Sequence, residues 1–96
     1  MVERSVGPSA TVVRNDEVLA AVVDGELVLM SVEQGLYFGL DPIGADIWRR
    51  METAVRVSDL CACLVADYDG DPMQIERDVL DLLGRMADRK LVSVTE

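Results

Sequence analysis

The segment "SVEQGLYFGLDPIGADIW", residues Ser31–Trp48, decides the fold because it changes from strand to helix within a few residues. "EQG" is typical of a turn, and "LYFGL", residues Leu36–Leu40, has the residue types of a strand. Asp41 can then cap a helix that begins at Pro42, since the first helical position does not use a backbone donor. The segment therefore predicts a turn, a strand and a helix start, and it holds no obvious catalytic group.

Two more strands are predicted before this segment. "VLAAVV", residues Val18–Val23, ends at Asp24 and Gly25, a dipeptide that is the strongest short hairpin signal. "ELVLMSV", residues Glu26–Val32, follows at once. Together with Leu36–Leu40, these stretches predict a three-stranded antiparallel β-meander.

Three helices are predicted downstream, where the apolar period becomes helical. The first extends from Pro42 to about Glu52. The second has Ser58 as a plausible cap. The third has the best-marked start, with Asp71 as its cap and a variant of the capping box, and it extends to about Lys90. The apolar faces of the first two helices contain Ile43, Ile47, Trp48 and Met51, and Leu60, Leu64, Val65 and Tyr68, respectively.

The two ends of the chain are less regular. The first ten residues, "MVERSVGPSA", have no sustained period and predict a loosely held, flexible arm. The last stretch, "LVSVT", can add a short strand or lie extended over the sheet. A chain of 96 residues supports one hydrophobic core and is too short for two domains. The sequence therefore predicts a single α+β domain over residues 1–96, with the β-meander packed on a three-helix bundle.

Charge and hydropathy limit the classes of function. No apolar run reaches the roughly 18 residues that span a bilayer, and the N-terminus lacks the features of a secretory signal, so a cytoplasmic location is expected. The formal net charge of −9 disfavours nucleic acid and anionic lipid as partners. The acidity is either a solvated surface or a feature that favours a cationic peptide.

The sequence contains few of the side chains that usually serve in catalysis or metal binding. It contains no histidine, and its two cysteines, Cys61 and Cys63, lie two residues apart in a segment with helical periodicity. Two residues turn a helix by roughly 200°, so these thiols cannot chelate one metal ion or form a sound disulfide. We expect two small, buried or half-buried thiols, no cofactor, no metal and no enzymatic activity.

The third helix has two apolar stripes. Val79, Leu82 and Met86 fall within about 40° of Ile75 on a helical wheel, and these four residues predict a stripe that faces the core. A second stripe, on a different face, contains Met73, Leu80, Gly84 and Ala87. Either the meander covers this second stripe, or Leu80, Gly84 and Ala87 form one wall of a groove.

The strand at Leu36–Leu40 is predicted to leave one edge without a partner strand. Alternation places Leu36, Phe38 and Leu40 on one face and the other two residues on the opposite face. No lysine or proline protects this edge, which is then either covered or able to accept an extended peptide as a further strand.

These features together resemble the PqqD-like proteins, which recognise the leaders of ribosomally made, post-translationally modified peptides. The resemblance rests on the leucine-rich hairpin, the "YFGLD" strand that leads into the "IW" helix, the "ERDV" opening of the third helix and the closing "LV". Among free-standing members of this length, the chain resembles in particular those encoded beside lasso-peptide precursors. The resemblance implies a sheet packed on a winged-helix-like bundle and a leader bound as an added strand beside the third strand.

The resemblance also implies partners and a binding site. The partners are a precursor leader peptide, a separate cysteine protease that removes the leader, and an ATP-dependent cyclase. The implied peptide-binding residues are Leu36, Tyr37, Phe38, Gly39 and Leu40 on the strand, and Met73, Ile75, Glu76, Val79, Leu80, Leu83 and Gly84 on the third helix.

Two other functions remain open from the sequence. A winged-helix regulator that binds DNA would use the same order of helices, but the acidic charge and the lack of a basic recognition helix weigh against it. A carrier for a peptide that becomes a redox cofactor, or for another class of modified peptide, would share the fold, since the fold does not fix the cargo. Trp48 is predicted to be structural in each case.

Overall fold

The computed structural model describes residues 6–95 and contains three helices and two small sheets. The strands are β1 (Thr11–Arg14), β2 (Val18–Val23), β3 (Glu26–Ser31), β4 (Leu36–Leu40), β5 (Val55–Arg56) and β6 (Val92–Thr95), and the helices are α1 (Pro42–Arg50), α2 (Val57–Asp67) and α3 (Pro72–Asp88). The expected α+β fold, with a β-meander and three helices, is confirmed.

The meander formed by β2, β3 and β4 follows the predicted order and is antiparallel throughout. Its first turn has positive φ angles at both central residues, 53° at Asp24 and 84° at Gly25. This is the backbone of a type I′ hairpin turn, whose twist matches that of the flanking strands. Leu29 of β3 lies opposite Phe38 of β4, and this register places the inward side chains of β3 and β4 over the helices.

A second sheet, with the order β5, β1, β6, was not predicted as a sheet. The sequence left open whether "LVSVT" forms a strand, and the structure contains that strand as β6. β1 lies between β5 and β6, with Val12 opposite both Val55 and Val94. These partners are distant along the chain, and strands of two to four residues carry too little alternation to reveal their pairing.

The helix boundaries agree with the capping signals at α1 and α3. The Asp41 carboxylate accepts a hydrogen bond from Gly44 N at 2.7 Å, and the Asp71 carboxylate accepts one from Met73 N at 3.1 Å. α2 differs, because it begins at Val57 after Arg56 and has no side-chain cap, so the expectation for Ser58 was wrong. α1 and α3 each end two residues before the predicted positions.

The segment before β1 also differs from the expected arm where the structure describes it. Val6 and Ala10 are buried, and the Ala10 carbonyl accepts a hydrogen bond from Val57 N at 2.9 Å. The Pro8 carbonyl accepts one from Ser58 N at 2.9 Å. Residues 6–10 are therefore held against the start of α2, while the rest of the expected arm, residues 1–5, lies outside the described residues.

The core lies between the inner faces of the two sheets and the three helices. Trp48 is 3% exposed within it, as predicted, and the Arg14 guanidinium stacks at 5.6 Å from the centroid of its ring. Cys61 is buried, and burial raises the pKa of its thiol, whereas Cys63 is exposed rather than half-buried. Within residues 6–95, no helix combines the length and the apolar character needed to cross a membrane.

Candidate functional site

A cleft of about 500 Å³ separates β4 from α3. The end of β4 forms one wall, and α3 forms the other between Ile75 and Arg85. Residues of α1 and α2 form the floor. The lining residues are Phe38, Gly39, Leu40, Asp41, Ile43, Gly44, Ile47, Leu64, Tyr68, Ile75, Asp78, Val79, Asp81, Leu82 and Arg85.

The wall formed by β4 combines an apolar face with a sheet edge. Phe38 is half-buried and Leu40 is buried, whereas Tyr37 is 77% exposed on the opposite face, so the predicted alternation is confirmed. β4 pairs with β3 on one side, and no strand within residues 6–95 pairs with its other side. The backbone groups on that side are available to an extended peptide.

α1 follows β4 so closely that a side chain at Gly44 would be crowded. A Cβ atom on Gly44 would lie 3.1 Å from Leu40 Cδ2 and 3.2 Å from the Asp41 carboxylate oxygen Oδ1. Gly44 therefore lets the first turn of α1 contact the end of β4, and this contact holds one end of the cleft wall in place.

The wall formed by α3 differs from the predicted one. Ile75, Val79 and Leu82 line the cleft, although the helical wheel assigned all three to the core stripe. The buried residues of α3 are Val79, Leu83, Met86 and Ala87, so the buried face is rotated by roughly 50° from the predicted stripe. This rotation turns Ile75 and Leu82 from the core towards the cleft.

The second apolar stripe does not line this cleft, so the alternative in which it forms a groove wall does not describe the cleft beside β4. Ala87 is 3% exposed in the core, and Leu80 and Gly84 are half-buried on a face that does not line the cleft. Apolar spacing alone identified two stripes but could not determine which one faces β4.

The twelve residues that the resemblance implied are thus only partly brought together. Five of them line the cleft, namely Phe38, Gly39, Leu40, Ile75 and Val79. The others do not line it: Leu83 lies in the core, Tyr37 lies on the opposite sheet face, Leu36 is half-buried at the start of β4, and the rest lie elsewhere on α3, namely Met73, Glu76, Leu80 and Gly84.

Several lining residues were not predicted as site residues. Asp41 and Ile43 follow β4 directly, so their place beside the strand could have been inferred from the abrupt change from strand to helix. Asp78, Asp81 and Arg85 form a charged rim on α3, and Arg85 Nε lies 3.4 Å from Asp81 Oδ2. Their spacing of three and four residues indicated a common face, but nothing in the sequence assigned that face to a cleft.

A polar network supports the floor at Tyr68. The Tyr68 hydroxyl donates to Asp46 Oδ2 at 2.7 Å, and Arg50 Nε donates to Asp46 Oδ1 at 3.0 Å. The Arg50 guanidinium also donates to Asp67. The hydrogen bonds from Arg50 and Tyr68 lower the pKa of Asp46, and the bond to Asp46 raises the pKa of Tyr68. The network joins α1 to the end of α2 and fixes the position of the Tyr68 ring.

The lining side chains are suited to binding a ligand with apolar groups. They comprise aliphatic and aromatic groups, two glycines, three carboxylates and one guanidinium, and they include no thiol, imidazole or amine. An apolar cleft beside a sheet edge matches the geometry in which an extended peptide adds a strand and places alternate side chains in a pocket.

Residues 26–92 match the family model described as coenzyme PQQ synthesis protein D, PqqD. The chain belongs to the PqqD family. No curated protein sequence matches this PqqD-family chain at a significant level.

Three solved structures are similar to this PqqD-family chain. TbiB1, solved in complex with the TbiA(beta) leader peptide, is 34% identical with a TM-score of 0.74, and the alignment covers 84% of this chain and 94% of TbiB1. A lasso peptide synthetase B1 complexed with the leader peptide is 22% identical with a TM-score of 0.74, over 85% and 96% of the two chains. The PqqD truncation of Methylobacterium extorquens PqqCD, a recognition element for ribosomally synthesized and post-translationally modified peptides, is 23% identical with a TM-score of 0.77. That alignment covers 93% of this chain and 95% of the truncation. The last two likenesses concern the fold alone.

Proposed function

We propose that this protein binds the leader of a ribosomally made precursor peptide, as an added β-strand beside β4. The observation that carries the proposal is the available edge of β4 next to an apolar cleft. The 34% identity to TbiB1, solved with a leader peptide, supports the same function. Main-chain hydrogen bonds to β4 would supply affinity, and the cleft between Phe38 and Leu82 would supply selectivity for alternate side chains.

The protein would act as an adaptor without catalysis of its own. A bound leader brings the attached core peptide to the processing enzymes and raises its effective concentration there. We propose a leader-removing cysteine protease and an ATP-dependent cyclase as these enzymes, with a lasso peptide as the product. The precursor is made on ribosomes, which favours the cytoplasm as the place of action.

A carrier for a redox-cofactor peptide is the second candidate function. The family description, coenzyme PQQ synthesis, favours it, whereas the higher identity of a leader-peptide complex over the M. extorquens protein favours the lasso-type function. The precursor encoded beside the gene distinguishes the two, because a lasso precursor and a PQQ precursor differ in the core that follows the leader.

Calorimetric titration with a synthetic leader tests the binding function. The probes are the leader of the precursor encoded nearby and the TbiA(beta) leader. We expect Leu82→Asp to weaken binding at least tenfold, or about 1.4 kcal/mol, because a carboxylate would enter the apolar wall of the cleft.

Leu80→Asp is the matched control for this experiment. Leu80 is also half-buried against the core and lies on the same helix, but it does not line the cleft. We expect it to leave the Kd within about twofold of the wild-type value, at a similar Tm. Equal losses in the two variants would place the peptide elsewhere, and no binding of either leader to the wild type would overturn the proposed function.

A further inference from the structure

The cleft has two ends that differ in charge. At one end, the Arg89 guanidinium stacks at 5.3 Å from the centroid of the Phe38 ring, so the C-terminal end of α3 lies beside the middle of β4. Arg85 lines the cleft one turn earlier on the same helix. Arg85 is paired with Asp81 of the same wall, so Arg89, which contacts the Phe38 ring, is the unpaired cation among residues 6–95 beside this part of the cleft.

The other end of the cleft is acidic. The end of α2, the loop after it and the start of α3 meet here, because a Cβ atom on Gly70 would lie 3.7 Å from Ile75 Cδ1. The hydrogen bond between Tyr68 and Asp46 joins α1 to the same end. Besides Asp67, the exposed carboxylates of these segments include Asp41, Asp69, Asp71 and Asp78, of which Asp41 and Asp78 line the cleft.

These carboxylates are not neutralised by cations in the described part of the chain. Arg50, a cation of this region, already pairs with Asp46 and Asp67. The ion pairs formed within residues 6–95 include none of the four exposed carboxylates. Among the described residues, the carboxylates outnumber the unpaired cations here, so the end of the cleft near Ile75 has a negative potential.

The direction of β4 relates this charge pattern to the direction of a bound strand. β4 runs from Phe38, whose ring Arg89 contacts, to Leu40 and Asp41, and α1 then leads to the hydrogen bond between Asp46 and Tyr68 at the acidic end. All pairings in its sheet are antiparallel, and antiparallel pairs are slightly more stable per residue than parallel ones. An antiparallel peptide would therefore place its N-terminal residues at the acidic end.

We propose that the cleft selects a peptide segment with basic residues on the N-terminal side of its apolar anchors and acidic or neutral residues on the C-terminal side. This inference rests on the proposed leader-binding function and adds the chemistry and the direction of the segment. The carboxylates near Asp78 attract the basic flank, and Arg89 disfavours a basic residue at the other end. Charge order thus opposes insertion of the segment in the reverse direction.

Two synthetic peptides test this inference on the peptide side. Both contain the apolar centre of whichever leader binds the wild-type protein. One has Lys-Arg-Lys before that centre and Glu-Asp-Glu after it, and the other has these flanks exchanged. We expect the exchanged peptide to bind roughly tenfold more weakly at low salt, and we expect high salt to reduce the difference, because exposed charges are screened.

Variants test it on the protein side. Asp78→Lys should weaken binding of the first peptide and reduce the difference between the two peptides, with an unchanged Tm. Asp59→Lys changes the net charge equally on an exposed residue that does not line the cleft, and it should leave the difference as in the wild type.

The outcomes separate this inference from the proposed function. If both peptides bind the wild type equally, charge order plays no part and the inference fails while leader binding stands. Equal effects of the two lysine variants would also overturn it, since the charge of the whole protein would then be responsible. If no leader binds, the proposed function fails and this inference fails with it.

Discussion

Trp48 connects the short α1 helix to the rest of the core. It is 3% exposed and is the only tryptophan in the chain. We expect Trp48→Ala to lower the free energy of unfolding by about 3 to 5 kcal/mol, because removal of a large buried ring leaves a cavity that the core fills only in part. Urea unfolding, followed by circular dichroism, measures this loss. A variant with wild-type stability that no longer binds peptide would instead assign Trp48 to the binding site.

The roles of some single residues could be predicted from the sequence, and those of others could not. The cap at Asp41 and the buried Trp48 were predictable, because each depends on neighbours within one turn of helix. The orientation of Leu82 towards the cleft was not predictable, since neighbouring positions on the helical wheel can face either the core or the cleft. The buried face of α3 depends on β6 and α2 as well as on its own apolar pattern.

At the scale of elements, the Asp46, Arg50 and Tyr68 network should make the junction of α1 and α2 sensitive to acid. The pKa of Asp46 is lowered in the folded protein, so its stabilising contribution is present above the unfolded value, near 3.8, and is lost as the pH falls through the folded value. We expect Asp46→Asn to destabilise the protein by about 1 kcal/mol at pH 7. The difference from the wild type should be smaller at a pH well below 3.8 than at pH 7. Urea unfolding at the two pH values checks this, and a constant difference would show that charge is not involved.

The edge of β4 makes a second prediction at this scale. Along an antiparallel strand, every second residue directs its N–H and C=O groups towards the neighbouring strand. N-methylation of the bound leader, one residue at a time, should therefore weaken binding strongly at alternate positions, by about tenfold or more, and weakly at the positions between them. Calorimetric titration of the methylated series provides the measurement. A smooth dependence on position would exclude strand addition while leaving side-chain binding in the cleft possible.

At the scale of the whole molecule, local sequence signals predicted the strands and helices, whereas long-range contacts determined how these elements pair and pack. The meander and the starts of α1 and α3 followed from turn and capping residues, because their neighbours lie close in sequence. The sheet of β1, β5 and β6 joins segments from the beginning, middle and end of the described chain, and no local pattern specified that pairing. The cleft is a product of the same long-range packing, which is why its β4 wall was predicted better than its α3 wall.

The pairing of β1 with β6 affects how this domain can be fused to other proteins. Thr11 lies directly opposite Thr95, so the first and last strands are neighbours, and residues 6–10 continue from β1 along the start of α2. The cleft is formed by β4, the three helices and the loop residue Asp41, and neither β1 nor β6 lines it. An insertion or fusion beside these two strands would need little more than a short linker on each side, and it would keep the peptide-binding face free. The domain can therefore be fused to a larger enzyme, by evolution or by protein engineering, without a change in the cleft that binds the peptide.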